Sequence, residues 1–242
     1  MVGASIENDA LASIENNLYL VREKIAEATK RAGRTADAVR LIAVSKTKPA
    51  AAIKEAMRAG QKSFGENYVQ EALEKIAVFP MADWHFIGSL QTNKVKQVVG
   101  NFSLVHSVDR RKLADEIAKV AANAGLVQDI LLEIHIGIEE SKQGLAVEEA
   151  PALIEHIQTL SSLRLRGLMA LPPLTSDEKA SRQGFAVLRG ALEKWRGELF
   201  SSEKAKVFTE LSMGTSGDFG WAILEGATLV RVGTTIFGAR EN

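Results

Sequence analysis

Apolar positions along this chain change their period several times, and each change marks an element. Ile6, Leu11, Ile14, Leu18, Val21, Ile25 and Ala28 recur at helical spacings, which predicts an amphipathic N-terminal helix within residues 1–33, ended by Gly33. Beyond it, short apolar runs at 41–45, 63–65, 84–88, 104–107, 130–136, 163–168, 207–211 and 229–232 alternate with amphipathic stretches such as 50–59, 69–78, 111–124, 147–160 and 183–200. Strand-like runs separated by crossover-length helices predict parallel βαβ units, because parallel neighbours need a long return connection. Eight of them favour a closed (β/α)8 TIM barrel, with the N-terminal helix packed on it, over an open sheet. No low-complexity or Pro-rich linker interrupts the pattern, and the 5 prolines fall at loops or helix starts. Residues 1–242 read as a single α/β domain.

Composition narrows the function classes. The 242 residues carry 30 Lys plus Arg and 30 Asp plus Glu, so no global field draws the protein to nucleic acid or an anionic membrane. Cysteine is absent, which excludes disulfides, a thiol nucleophile and thiolate metal sites. The first ten residues include Glu7 and Asp9 and lack the basic start and apolar stretch of a signal peptide. No apolar span reaches the roughly 18 residues of a transmembrane helix, so a cytoplasmic location is expected.

In a barrel, chemistry gathers where strands end and βα loops begin. The first such end is Ala43-Val44-Ser45-Lys46-Thr47-Lys48-Pro49. A neutral Lys46 amine there could attack a carbonyl, and in an extended chain Lys46 and Lys48 share a face and disfavour each other's charge. By spacing alone, two solvated lysines closing a strand are the more ordinary arrangement. At Ser63-Phe64-Gly65-Glu66-Asn67-Tyr68, Asn67 could contact a ligand, although capping the following helix is its commoner role. His85 lies inside its run, where a hydrogen-bonded core histidine is more usual than a catalyst, and the four histidines show no metal-ligand spacing. Glu133, His135 and residues 139–142 could line the mouth, as could any polar loop.

The strongest physical signal comes from the last two runs. Leu211-Ser212-Met213-Gly214-Thr215-Ser216-Gly217-Asp218 and Val230-Arg231-Val232-Gly233-Thr234-Thr235 end strands in glycines and hydroxyls directly before helical segments. Such loops let backbone N–H groups approach an anion, and the loops after strands seven and eight commonly bind phosphate in barrels. Plain Gly/Ser turns account for them equally well. Arg231, in an apolar strand, requires a partner or a functional reason.

These motifs, together with Phe64-Gly65-Glu66-Asn67-Tyr68-Val69-Gln70-Glu71, His85-Phe86-Ile87-Gly88 and Leu90-Gln91-Thr92-Asn93-Lys94, closely resemble the YggS/PROSC family of pyridoxal phosphate homeostasis proteins. The resemblance runs in order and in register from about residue 40 to the end. It implies the fold of the alanine racemase N-terminal barrel and pyridoxal 5′-phosphate as cofactor, held as a Schiff base on Lys46, with Lys48 as a second lysine assisting exchange. By the same resemblance Ser212, Ser216, Gly233 and Thr234 form the phosphate cradle, Arg231 faces the pyridine nitrogen, Met213 is a cofactor-binding residue, and Asn67 and Met169 lie near the cofactor. The chain departs from the family at Gly220, where an acidic residue is usual, at Trp221, where small residues follow, and at His135, where asparagine is common.

The resemblance implies a non-catalytic carrier or buffer of the cofactor, in transient contact with apo-enzymes and monomeric. A pyridoxal-phosphate-dependent amino-acid racemase or lyase is the alternative, and an aldolase or isomerase using Lys46 directly is a third reading. A guanidinium at the pyridine nitrogen weakens the ring as an electron sink, which favours the carrier. The eighth unit finishes near Gly238, so no second domain is expected. In racemases of this architecture that domain supplies a tyrosine base, and the tyrosines here are Tyr19 and Tyr68.

Overall fold

Ile14, Leu18, Val21, Ile25 and Ala28 form the buried stripe of the first helix, α1 (Gly3–Arg31), as their spacing requires. The protein is described by a computed structural model over residues 3–136, 144–171 and 177–238, with side chains from residue 14 onward. Gly33 adopts a left-handed φ of 66° just past the helix, and the Arg34 N–H closes back on the Thr29 carbonyl. Asn17 donates to the Ile236 carbonyl at 3.0 Å and Arg34 to the Ala227 carbonyl at 2.7 Å. These bonds fasten α1 across the elements that end the chain.

Eight parallel strands then close a barrel in sequence order. They are β1 (Arg40–Val44), β2 (Ser63–Glu66), β3 (Asp83–Phe86), β4 (Leu104–Val108), β5 (Gln128–Glu133), β6 (Leu163–Met169), β7 (Glu210–Ser212) and β8 (Leu229–Val232). The main return helices are α2 (Ala50–Arg58), α3 (Val69–Val78), α5 (Arg111–Asn123), α6 (Ala150–Gln158) and α7 (Glu178–Glu198). Short helices α4 (Val95–Val98), α8 (Ser202–Ala205), α9 (Phe219–Leu224) and α10 (Thr234–Phe237) complete the set. Among the described residues, no helix is long and apolar enough to cross a membrane.

Period-two alternation sorts the strand residues between the interior and the helix layer. Ile42, Leu104, Leu131, Met169 and Leu229 meet as an apolar band inside the barrel, while residues such as Ala43, Phe64, Val105 and Leu132 pack outward under the helices. Below the band, at the strands' N-terminal ends, Asp129 pairs with Arg164 and Arg166, and Asp83 lies 3.9 Å from Arg40. A bulge in β6 depends on Gly167 at φ 154°, where a Cβ would lie 1.9 Å from the Glu210 carbonyl oxygen. The seventh strand begins three residues later than the predicted run at 207–211.

Candidate functional site

The β1 strand ends at Val44, and the chain turns at once: the Lys48 N–H donates to the Ser45 carbonyl at 3.1 Å, and Thr47 takes a left-handed φ of 62°. A β-branched residue pays for that conformation, so something must hold it. The Glu71 carboxylate accepts the Thr47 N–H, and the half-buried Lys46 is the first corner of the turn. Because of this turn, the chain does not stay extended here, and Lys46 and Lys48 do not share the face that an extended chain would give them.

A buried ionic cluster stands behind the turn. Lys75 donates to the Ser45 carbonyl at 2.6 Å, to Glu66 at 2.7 Å and to Glu71 at 2.6 Å, which satisfies all three donors of an ammonium group. The Ser45 hydroxyl donates to the same Glu66 oxygen at 2.7 Å. Burial pushes Glu66 above the usual carboxylate range, opposed by hydrogen bonding and attraction from Lys75. Sequence reasoning passed over Glu66, Glu71 and Lys75 as functional residues. The i,i+4 spacing of Glu71 and Lys75 was the available signal.

The first and last strands bring the two halves of the site together. Ile42 pairs with Arg231 and Ala43 with Val232, so Gly233 emerges beside Val44; a Cβ on it would lie 3.2 Å from the Val44 carbonyl oxygen. Arg231 is buried inside the barrel, donating to the Ser212 hydroxyl at 2.6 Å and to the Ala170 carbonyl at 3.0 Å. Burial lowers its pKa to about 10, against the attraction of Asp218 and Glu133, and it stays cationic at neutral pH. Gly214, at φ 91°, lets the loop after β7 press on α9, where a Cβ would sit 2.6 Å from that of Ala222. Asp218 ties the loop by accepting the Thr215 N–H at 2.6 Å.

Of the predicted phosphate-side residues, Ser216, Gly233 and Thr234 gather in one corner, with the Gly233 N–H donating to the Ser216 hydroxyl at 3.2 Å and Thr234 exposed at the start of α10. Ser212 is placed differently: it turns its hydroxyl inward to Arg231 and His106. Met213, predicted to bind cofactor, follows the end of the strand and points outward into the core beneath the helices. Alternation along β7 dictates both directions. Met169 faces the interior beside Glu133, its partner across β5 and β6. Burial and the nearby Asp109 raise Glu133 to about 7, with Arg231 opposing.

Asn67 does not cap α3: the cap position is Tyr68, and the Asn67 Oδ1 is buried without a hydrogen-bond partner among the described residues. Its backbone is pressed against Gly88, whose absent Cβ would lie 2.2 Å from the Asn67 carbonyl oxygen. His85 is a buried, hydrogen-bonded interior residue, bonded to Asp83 and His106. A Cβ on Gly220 of α9 would meet no atom of the described residues within 4 Å, and the partly buried Trp221 packs against the core; both line a cavity shared with Ser216. Residues 139–142 lie outside the described residues. The mouth thus joins a lysine amine, a buried guanidinium, an acceptor oxygen awaiting a donor and a Gly/Ser corner suited to an anion.

The chain matches the family described as alanine racemase, N-terminal domain, over residues 15–241. It is 46% identical over 235 residues to the pyridoxal phosphate homeostasis protein of Pseudomonas aeruginosa, covering 96% of this chain and 97% of that one. The protein of the same name from Escherichia coli K12 is 41% identical over 233 residues, covering 94% and 97%. Among solved structures, PipY of Synechococcus elongatus with PLP bound superposes with a TM-score of 0.78 at 37% identity, covering 88% of this chain and 100% of PipY. Alanine racemase from Corynebacterium glutamicum shares the fold, with a TM-score of 0.73 at 13% identity over 95% of this chain and 62% of that one.

Proposed function

Since the chain belongs to the alanine racemase N-terminal domain family, in its pyridoxal phosphate homeostasis group, we propose that it binds pyridoxal 5′-phosphate at the barrel mouth through Lys46 and acts as a carrier or buffer of that cofactor. The pairing of β1 with β8 carries this reading, because it sets the Lys46 turn beside Arg231 and the Gly233 corner. The residues fit the group: Gly233 and Gly214 leave no Cβ where loops close in, and the orphaned Asn67 oxygen awaits a donor. When bound, the cofactor supplies an aldehyde that condenses with an amine, releasing water, and a ring that can accept electrons.

The chain's own residues divide the work. Lys46 provides the amine, held at a fixed corner by Glu71, Lys75 and Glu66. Ser216 and Gly233 would hold the anionic end, and Arg231 would offer an N–H donor to the ring nitrogen. Arginine does not yield that proton, so it would leave the nitrogen unprotonated and the ring a weak electron sink. A tether that grips without driving turnover suits a monomeric cytoplasmic protein that limits free aldehyde and passes the cofactor to apo-enzymes.

Purified protein exposed to pyridoxal phosphate should develop a visible absorption band that borohydride abolishes and that Lys46→Ala lacks. Absence of the band under any loading defeats the binding reading. Transfer to an apo-enzyme without racemisation of alanine or serine supports the carrier; measurable turnover overturns it in favour of a racemase.

A further inference from the structure

Behind Arg231, which the proposed cofactor site uses, the barrel interior contains a continuous polar line to which that site assigns no role. Arg231 donates to the Ser212 hydroxyl at 2.6 Å, and that hydroxyl lies 2.9 Å from His106 Nδ1. His106 Nε2 is 2.9 Å from His85 Nδ1, and His85 Nε2 is 3.0 Å from Asp83. The line starts at the mouth, crosses the level of the apolar band and ends at the strands' N-terminal face, where Asp83 is one-third exposed. His85, His106, Ser212 and Arg231 are all buried.

Donor and acceptor chemistry fixes its direction. Hydrogen bonds from His85, Ser103 and Ser63 outweigh the upward push of burial and hold Asp83 below the usual carboxylate range, so it is ionised and only accepts. His85 therefore carries its proton on Nε2, and in its neutral form accepts at Nδ1. His106 must donate from Nε2; burial, with His85 and Arg231 nearby, holds its pKa well below 6.5, so it is neutral and accepts at Nδ1. Ser212 then donates to His106, which leaves its lone pairs to Arg231, a group that can only donate. Every donor meets an acceptor, and all the bonds point from the buried cation toward the carboxylate.

We propose that Asp83, His85, His106 and Ser212 are positioning residues that orient Arg231, and that they couple the protonation of His85 at one end of the barrel to the hydroxyl of Ser212 at the other. A second proton on His85 occupies Nδ1, so His106 accepts at Nε2 and donates from Nδ1. Ser212 then accepts twice, and its own proton is released to a different acceptor. The charged and titratable groups facing this line are Asp83 on β3, Arg40 on β1, His106 on β4 and Arg231 on β8; β2 presents the neutral Ser63 and Gly65. Glu133 and Asp218 act on Arg231. The role assigned to Arg231 rests on the proposed cofactor site, whereas the direction of the line does not.

The first test is nitrogen-15 NMR of histidine-labelled, cofactor-free protein, which requires no variant. While His85 is neutral, both His85 and His106 should be Nε2–H tautomers, and the step that charges His85 should convert His106 to Nδ1–H. An Nδ1–H tautomer of His106 while His85 is neutral, or changes of the two rings in separate steps, overturns the proposal. The second test loads variants with pyridoxal phosphate. Ser212→Ala and His106→Phe should raise its dissociation constant about tenfold or more, the scale of a hydrogen bond to a charged group, and flatten the pH dependence of the bound spectrum. His106→Gln, which can still accept from Ser212 and donate to His85, should recover most of the loss. Equal affinities and pH profiles in all three overturn the positioning role. Wild-type protein that takes up no cofactor refutes the proposed function, and the NMR result alone then decides the relay.

Discussion

Glu133→Gln tests the electrostatics of the mouth most directly. The carboxyl is 7% exposed, and burial with the neighbouring Asp109 raises its pKa from 4.5 to about 7. An acid whose folded-state pKa is raised binds its proton more tightly in the fold. Its stabilising contribution is complete below the ordinary carboxylate range and is lost as pH rises through about 7. A displacement of this size corresponds to about 3 kcal/mol between the two limits. Glutamine keeps the shape and removes the titration. In urea unfolding of cofactor-free protein, the stability of Glu133→Gln relative to wild type should therefore increase by roughly 2 to 3 kcal/mol between pH 5 and pH 8. Asp109→Asn should reduce the wild-type slope, because Asp109 is the second cause of the shift. A Gln-minus-wild-type difference that stays level across that pH range refutes the reasoning, since it means that Glu133 ionises in the fold as readily as in the unfolded chain.

Four further outcomes follow from the same geometry. Lys75→Met strands Glu66, which is fully buried, and should cost about 3 kcal/mol or more in urea unfolding at pH 8, with part recovered at pH 5 as Glu66 takes up a proton. Thr47→Gly removes a β-branched side chain from a left-handed φ of 62° and should stabilise the protein by about 1 kcal/mol, seen as a rise in Tm of a few degrees. Gly88→Ala places a Cβ 2.2 Å from the Asn67 carbonyl oxygen and should weaken pyridoxal phosphate binding about tenfold or more by displacing that loop. Gly220→Ala, into open space on α9, should leave binding unchanged and gain up to about 1 kcal/mol in stability.

The barrel was legible because period-two runs and amphipathic stretches alternate cleanly from residue 40 onward, and the third helix matches its predicted span of 69–78. The misreadings share a cause. The turn at Lys46 was hidden because threonine argues against a left-handed conformation, and only Glu71, 24 positions away, shows why it persists. The Asp83, His85 and His106 line was equally hidden, because it depends on strand register, in which His85 lies opposite Leu104 and one pleat from His106. The stretch at Thr92–Lys94 and Val95–Val98 is too short for its helical period to register. Ser212 and Met213 could be named as neighbours of the site, but which of them looks inward follows from the pairing of Met169 with Ser212.

The pairing of Arg40–Ala43 with Leu229–Val232 joins the earliest strand to the last one. During synthesis, the segment bearing Lys46 leaves the ribosome long before the segment bearing Arg231 and Gly233, and the two halves of the mouth meet only when this seam closes. On the proposed reading, a nascent chain has no pocket for a reactive aldehyde, and capture of the cofactor reports that the barrel is finished. The bound cofactor then acts as a clasp on the seam, adding stability in proportion to the logarithm of its free concentration. The persistence of the protein in the cell would accordingly follow the supply of the molecule it holds.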